Sequence, residues 1–245
     1  MKKTLCMLLA LVLMLALLPA AYAEYEPVKD TPYGLPLLEK PEDFDLEAVI
    51  NGHTLKRMLD LVDNIQIKRD MKQKAQGHDI HMLLDDYYYL DEGQYVNYSI
   101  QTDMSSSAKY KTYQLFLFDK EDPTYYSKFE GGRDKYETDP EIIDMLLEGS
   151  FYPVDTQFYD YEITDLKQDE DGLVTCAFNI TVKPEAAEAF TGEHPEFSDC
   201  SITVDPETGL MRAFTFAIKT EAMEQTSAAE VNYNVDQEPD YSLKY

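Results

Sequence analysis

The side chains able to do chemistry fall into a few short groups. Cys176 and Cys200 occupy even positions in two alternating apolar segments, Leu173 to Val182 and Cys200 to Val204. If those segments pair antiparallel with the cysteines opposed, Val182 stands across from His194. A cross-strand disulfide is then geometrically sensible, with two buried free thiols as the alternative. The acidic turn Asp165, Asp169, Glu170, Asp171, Gly172 offers oxygens to a hard cation such as calcium. A calcium loop with its glycine at Gly172 would start at Lys167 and end at Phe178, where acids are required, so a solvated hairpin turn accounts for these residues.

His78 and His81, in H-D-I-H, would share one face of a helix but point opposite ways on a strand. Neither a third ligand nor a glutamate base lies nearby. His53 and His194 adjoin Gly52 and Pro195, which reads as loop and surface histidine. Ser105-Ser106-Ser107 sits in a polar turn, G-x-S-x-G is absent, and no carboxylate pair has positional support. No catalytic, cofactor or metal residue is therefore assigned. The tyrosines Tyr87, Tyr88, Tyr89, Tyr125 and Tyr126 would suit a peptide or sugar groove, though half-burial of alternating strands gives the same pattern. Asn97 (N-Y-S) and Asn179 (N-I-T) match glycan acceptors but fall inside expected strands.

The elements that must position these groups are mostly strands. From about Tyr159 to Val235 the apolar residues alternate by two: Val174, Cys176, Phe178, Ile180 and Val182, then Cys200, Ile202 and Val204, then Leu210, Phe214, Phe216 and Ile218, then Val231, Tyr233 and Val235. That is a β-meander with one buried face. Its turns are Gln168 to Gly172 and Asp205-Pro206-Glu207-Thr208-Gly209, and Pro184 to Phe190 reads as a short helix over the sheet. Upstream, Tyr87 to Leu90 and Gln94 to Thr102 flank the turn Asp91-Glu92-Gly93. Leu115 to Phe118 is apolar on both parities, which marks a strand covered on both sides.

Two helices interrupt the strands. Leu55, Met58, Leu59, Val62 and Ile65 follow three-and-four spacing, so an amphipathic helix opens at Thr54 and reaches Ile65 or Met71. Thr138-Asp139-Pro140-Glu141 caps a second, striped by Ile142, Ile143, Met145, Leu146 and Leu147 and ended by Gly149. The fold class is α+β: a curved antiparallel meander sheet packed against two or three amphipathic helices. Residues 49–236 form one domain, with a subdomain boundary near 149 as the alternative to one continuous sheet. A proline-rich leader over 24–48 precedes it, and a frayed polar tail over 237–245 follows.

The chain opens Met1-Lys2-Lys3, an apolar run to Leu18 and Ala21-Tyr22-Ala23, which reads as a secretory signal peptide over 1–23. No later run is long enough for a membrane helix, so no stable membrane insertion is expected after cleavage. The 245 residues carry a formal net charge of −26, a field that repels phosphate backbones and anionic headgroups and argues against nucleic acid.

The helix from Thr54, the aromatic meander after it and the hairpin Ser201 to Lys219 around DPETGLM together resemble the LolA and LppX type of secreted half-barrel. The hairpin YEITDLKQDEDGLVTCAFNITV is similar to the closing hairpin of cystatin-like or NTF2-like domains. The first resemblance implies an eleven-strand-like curved sheet cupping helices around an apolar cavity for lipid acyl chains. The expected function is a secreted, non-enzymatic binding protein that takes a lipid or other apolar or amphipathic ligand, with no cofactor. The alternative is an extracellular interaction module whose acidic surface and tyrosines bind a cationic protein or peptide.

Overall fold

The computed structural model describes residues 32–36, 38, 43–75, 77–105, 109–118, 124–129, 132–137, 140–152, 154, 158–184 and 195–244. The signal segment 1–23, the cap residues Thr138 and Asp139, Ser106, Ser107, His194 and all but the first residue of the helix expected from Pro184 to Phe190 lie outside them.

Among the described residues, eleven antiparallel strands make one open sheet. They are β1 (Asn64–Ala75), β2 (His78–Asp91), β3 (Gln94–Asp103), β4 (Lys111–Phe118), β5 (Thr124–Phe129), β6 (Gly132–Glu137), β7 (Tyr159–Gln168), β8 (Val174–Val182), β9 (Glu196–Val204), β10 (Met211–Lys219) and β11 (Met223–Tyr233). Their order in the sheet is β6-β5-β4-β3-β2-β1-β11-β10-β9-β8-β7. The chain walks outward from β1 to one edge, crosses at α3 (Pro140–Glu148) to the other edge, and walks back to close on β1 through β11. Among the described residues the strands before and after Gly149 belong to one sheet. Local chemistry sets the tight turns: between β2 and β3, Glu92 (φ 50) and Gly93 (φ 83) are both left-handed, the backbone a two-residue hairpin needs to match strand twist.

The region expected as one helix from Thr54 to Ile65 or beyond divides differently. A first helix, α1 (Leu46–Gly52), is capped by Asp45, whose carboxylate accepts the Ala48 N–H at 3.0 Å. A second, α2 (Leu55–Leu59), is capped by Thr54 through the Arg57 N–H. The helix then stops, because Ile65, Ile67 and Met71, all buried, also alternate by two and meet partners on both sides. Asn64 secures that register: its side chain donates to Val235 O at 2.9 Å and accepts from Val235 N–H at 2.8 Å. Long-range pairing decides between two periodicities that fit the same residues.

Pairing also defines an inner face, the one the helices cover. α1, α2 and Leu35, Leu38 and Phe44 of the leader pack on inward residues of β7 to β11 and on Ile65 and Ile67 in the largest core cluster. Tyr152 fills its centre, edge-on to Phe214 and Phe216 at 5.8 and 6.1 Å. α3 covers the other end of the same face through Ile143 and Leu147 against Phe116 and Phe118. On the outer face, Tyr87, Tyr89, Val96, Tyr98, Leu115 and Leu117 pack under Leu243. β4 is thus covered on both sides, as its sequence requires.

Three expectations are corrected here. The described part of the leader is built into the core, and Arg57 Nη2 ties it down by donating to Tyr33 O and Gly34 O, each at 3.0 Å. The polar tail is docked: Tyr241–Lys244 forms a 3-10 turn, Leu243 is buried, and the Tyr241 hydroxyl donates to Asp91. Cys176 and Cys200 are free thiols. They share the inner face, but the register differs by two residues from the one that would oppose them, so Cys176 faces Ile202 and Cys200 faces Phe178.

Candidate functional site

Along the inner face the chemistry changes at β1. Toward the β7 edge, Arg69 is followed across the strands by Ala229, Phe214, Ile202 and Cys176, an apolar row that is filled by the helices. Toward the β6 edge the rows turn polar. Ile67 is followed by Asp86, Ser99, Gln114 and Ser127, and Arg69 by Leu84, Gln101 and Thr112. The first of these rows is buried, with Ser99 1% exposed, whereas Arg69, Leu84, Gln101 and Thr112 are half-buried and form its rim. Beside them Met71 faces Met82, a buried pair that belongs to none of the packed clusters among the described residues.

The centre of the polar half is an ion pair, with Arg69 Nη2 donating to Asp86 Oδ2 at 2.5 Å. Desolvation works against the guanidinium charge, but Asp86 and a side-chain hydrogen bond with Tyr88 more than offset it and raise its pKa. Burial, reinforced by the Asp86 charge, pushes the Tyr88 phenol up, so it stays neutral. Gln101 Nε2 donates to Gln114 Oε1 at 2.7 Å. Two buried donors flanking Asp86, the Ser99 hydroxyl and the Arg69 Nε–H, have no hydrogen-bond partner among the described residues. Buried polar groups are nearly always paired, and each orphan costs on the order of 1–3 kcal/mol.

A second polar knot sits in the apolar half. His53 is fully buried beneath the α1 terminus and joins three elements. Met211 N–H donates to its Nε2 at 2.9 Å, so Nε2 must accept and Nδ1–H must donate, which it does to Val49 O at 2.7 Å. Its carbonyl accepts from Phe151 N–H at 2.9 Å. Burial drives its pKa from 6.5 down to about 4, with a smaller lowering from Arg57 against the raising effect of Val49. His53 is a neutral structural clamp and not the surface histidine its neighbour Gly52 suggests.

The remaining sequence candidates are dispersed. His78 and His81 point to opposite faces of β2, and His81 Nε2 meets Asp70 Oδ1 at 2.9 Å on the outer one. Asp169 is committed to its own turn, accepting from Asp171 N–H and Leu173 N–H, and Asp165 pairs with Lys167. Ser105 Oγ accepts from His81 N–H at 2.6 Å. Tyr87 and Tyr89 face outward, Tyr88 inward, and Tyr125 and Tyr126 are likewise divided. Asn97 lies on the inner face and Asn179 is exposed on β8. Arg69 lies where a helical period competes with β1, and Asp86 and Ser99 come beside it only through the pairing of β1, β2 and β3. The available signal was a charged residue at an inward position in each of two consecutive strands.

No family model matches the chain, and no curated protein matches it. Among solved structures, a DUF1329 family protein from Desulfovibrio piger is similar over 74% of this chain and 90% of its own, at 10% identity and a TM-score of 0.35. MucB in complex with MucA(peri) is similar over 74% of this chain and 54% of its own, at 11% identity and a TM-score of 0.29. The chain therefore spans about half the length of the MucB chain.

Proposed function

We propose that this is a secreted, non-enzymatic binding protein that holds an amphipathic ligand against the inner face of its sheet. One observation carries the reading: on a single continuous face the row through Arg69 is apolar across β11 to β8, while the rows through Ile67 and Arg69 turn largely polar across β2 to β5, beside a half-buried rim. A ligand with an apolar body and one polar group matches that division. Methionines adapt to varied apolar shapes, so Met71 and Met82 suit the body, and the polar rows suit the head. Catalysis finds little support, because each described histidine on the helix-covered side lacks a hydroxyl or thiol partner, and both ring nitrogens of His53 are engaged by backbone. A peptide adding as an extra strand is disfavoured too. Edge strand β6 carries Arg133, Asp134 and Lys135, and edge strand β7 carries Asp160, Glu162 and a bulge at Ile163/Asp165, devices that discourage pairing.

Native mass spectrometry of the purified protein, before and after organic extraction, tests this reading. Co-purifying amphipaths that extraction removes and that rebind with one-to-one stoichiometry are expected. Protein that neither carries nor rebinds any apolar or amphipathic molecule overturns it.

A further inference from the structure

Resting on that reading, we propose that the Ser99 hydroxyl and the Arg69 Nε–H recognise a neutral carbonyl oxygen, an ester or amide, in the head of the bound amphipath. Both groups are donors, both are orphaned, and both flank the same carboxylate: Asp86 faces Ser99 across the β2–β3 pairing and accepts from Arg69 at 2.5 Å. The half-buried row Arg69, Leu84, Gln101, Thr112 lies directly beside Ser99 on the same face, so it is over this row that a ligand oxygen would approach. Charge then selects among acceptors. Asp86 already neutralises Arg69, so a carboxylate or phosphate would leave two negative groups for one positive, inside a protein of formal net charge −26. A neutral carbonyl accepts both hydrogen bonds without that repulsion. A plain hydrocarbon would bury the two donors unpaired, the condition a site built for hydrogen bonding rejects most strongly.

The test uses three probes of equal chain length, a methyl ester, the free carboxylate and the hydrocarbon, each displacing an apolar fluorescent dye from the full chain. The ester should bind at least about fivefold more tightly than either other probe, and Ser99→Ala should remove that preference. Arg69→Lys, which keeps a positive charge for Asp86 but lacks the Nε–H, should reduce it. Ligand-free Ser99→Ala should melt no lower than the parent, because it deletes an unsatisfied hydroxyl, whereas a serine kept for structure would melt lower. Equal binding of all three probes, a carboxylate preference, or an ester preference that survives Ser99→Ala overturns this inference and leaves the binding reading standing. Failure of the dye and of every probe to bind overturns both.

Discussion

Acid should loosen this protein through one imidazole, and the size of the effect follows from the geometry around His53. The neutral ring accepts from Met211 N–H and donates to Val49 O, so a proton added at Nε2 would confront an N–H donor in a site without water access. Its folded pKa is about 4 against an ordinary 6.5. The unfolded chain therefore binds the proton first. The stability contributed by the neutral ring is complete above about pH 6.5 and is lost as pH falls toward about 4. Each pH unit between the two values is worth about 1.4 kcal/mol, so roughly 3 kcal/mol is at stake, of which about 2 kcal/mol is gone by about pH 5. Acid also protonates carboxylates and relieves repulsion in a chain of net charge −26, which pushes the other way.

His53→Gln separates the two effects, because an amide can donate to Val49 and accept from Met211 but does not titrate. Urea unfolding of both proteins at about pH 7 and about pH 5 should show the parent ahead at the higher value, with its lead shrinking by about 2 kcal/mol at the lower. Parallel losses in the two proteins would refute the argument.

The remaining expectations concern packing. Gly209 is left-handed (φ +74) and a Cβ there would lie 2.7 Å from Pro36 O and 2.8 Å from Leu35 Cβ, so Gly209→Ala should cost about 2 kcal/mol or more in denaturant midpoint analysis. A neutral result would mean the leader does not press on the DPETGL hairpin. Burial pushes the Cys176 thiol up to about 12, so maleimide at about pH 8 should leave Cys176 and Cys200 unmodified in the folded protein and label both after unfolding without reductant. Labelling that requires reductant would show a bridge. Leu243→Ala should cost about 2 kcal/mol and speed hydrogen exchange in β3 and β4 but not in β9, since the cluster under Leu243 is drawn from β2, β3 and β4.

What could be read from the sequence follows from what a two-residue period encodes. Alternation specifies which face a side chain takes, and the inward sets of β8 and β9 are those expected from residue 173 onward, while in β10 a register shift between Met211 and Ala213 buries Met211 ahead of Phe214 and Phe216. It does not specify register, since a slip of two residues leaves every side chain on its own face. Cys176 and Cys200 illustrate the limit: both point inward, yet each faces a different partner. β1 failed for another reason. Leu55, Met58, Leu59, Val62 and Ile65 satisfy a helical period while Ile65, Ile67 and Met71 satisfy a strand's, and pairing with β2 on one side and with β11, more than a hundred residues away, on the other decides between them. His53 was illegible because its burial is created by α1, β10 and the segment at Phe151 arriving together.

The polar rows on the inner face pose the sharper question, because folding alone gives no reason for them. An ion pair such as Arg69 and Asp86 can often be replaced by apolar residues of similar volume without loss, and alanine at Ser99 would remove a penalty outright. The other half of the same face shows that this sheet can be lined with Phe214, Ile202 and Val231 and packed under helices without such groups. Position also matters: Ser99 Oγ and Arg69 Nε stand where the buried row meets the half-open one. Charged and unpaired groups set on the inner face of the sheet at that boundary are explained by what they meet and not by what they hold together.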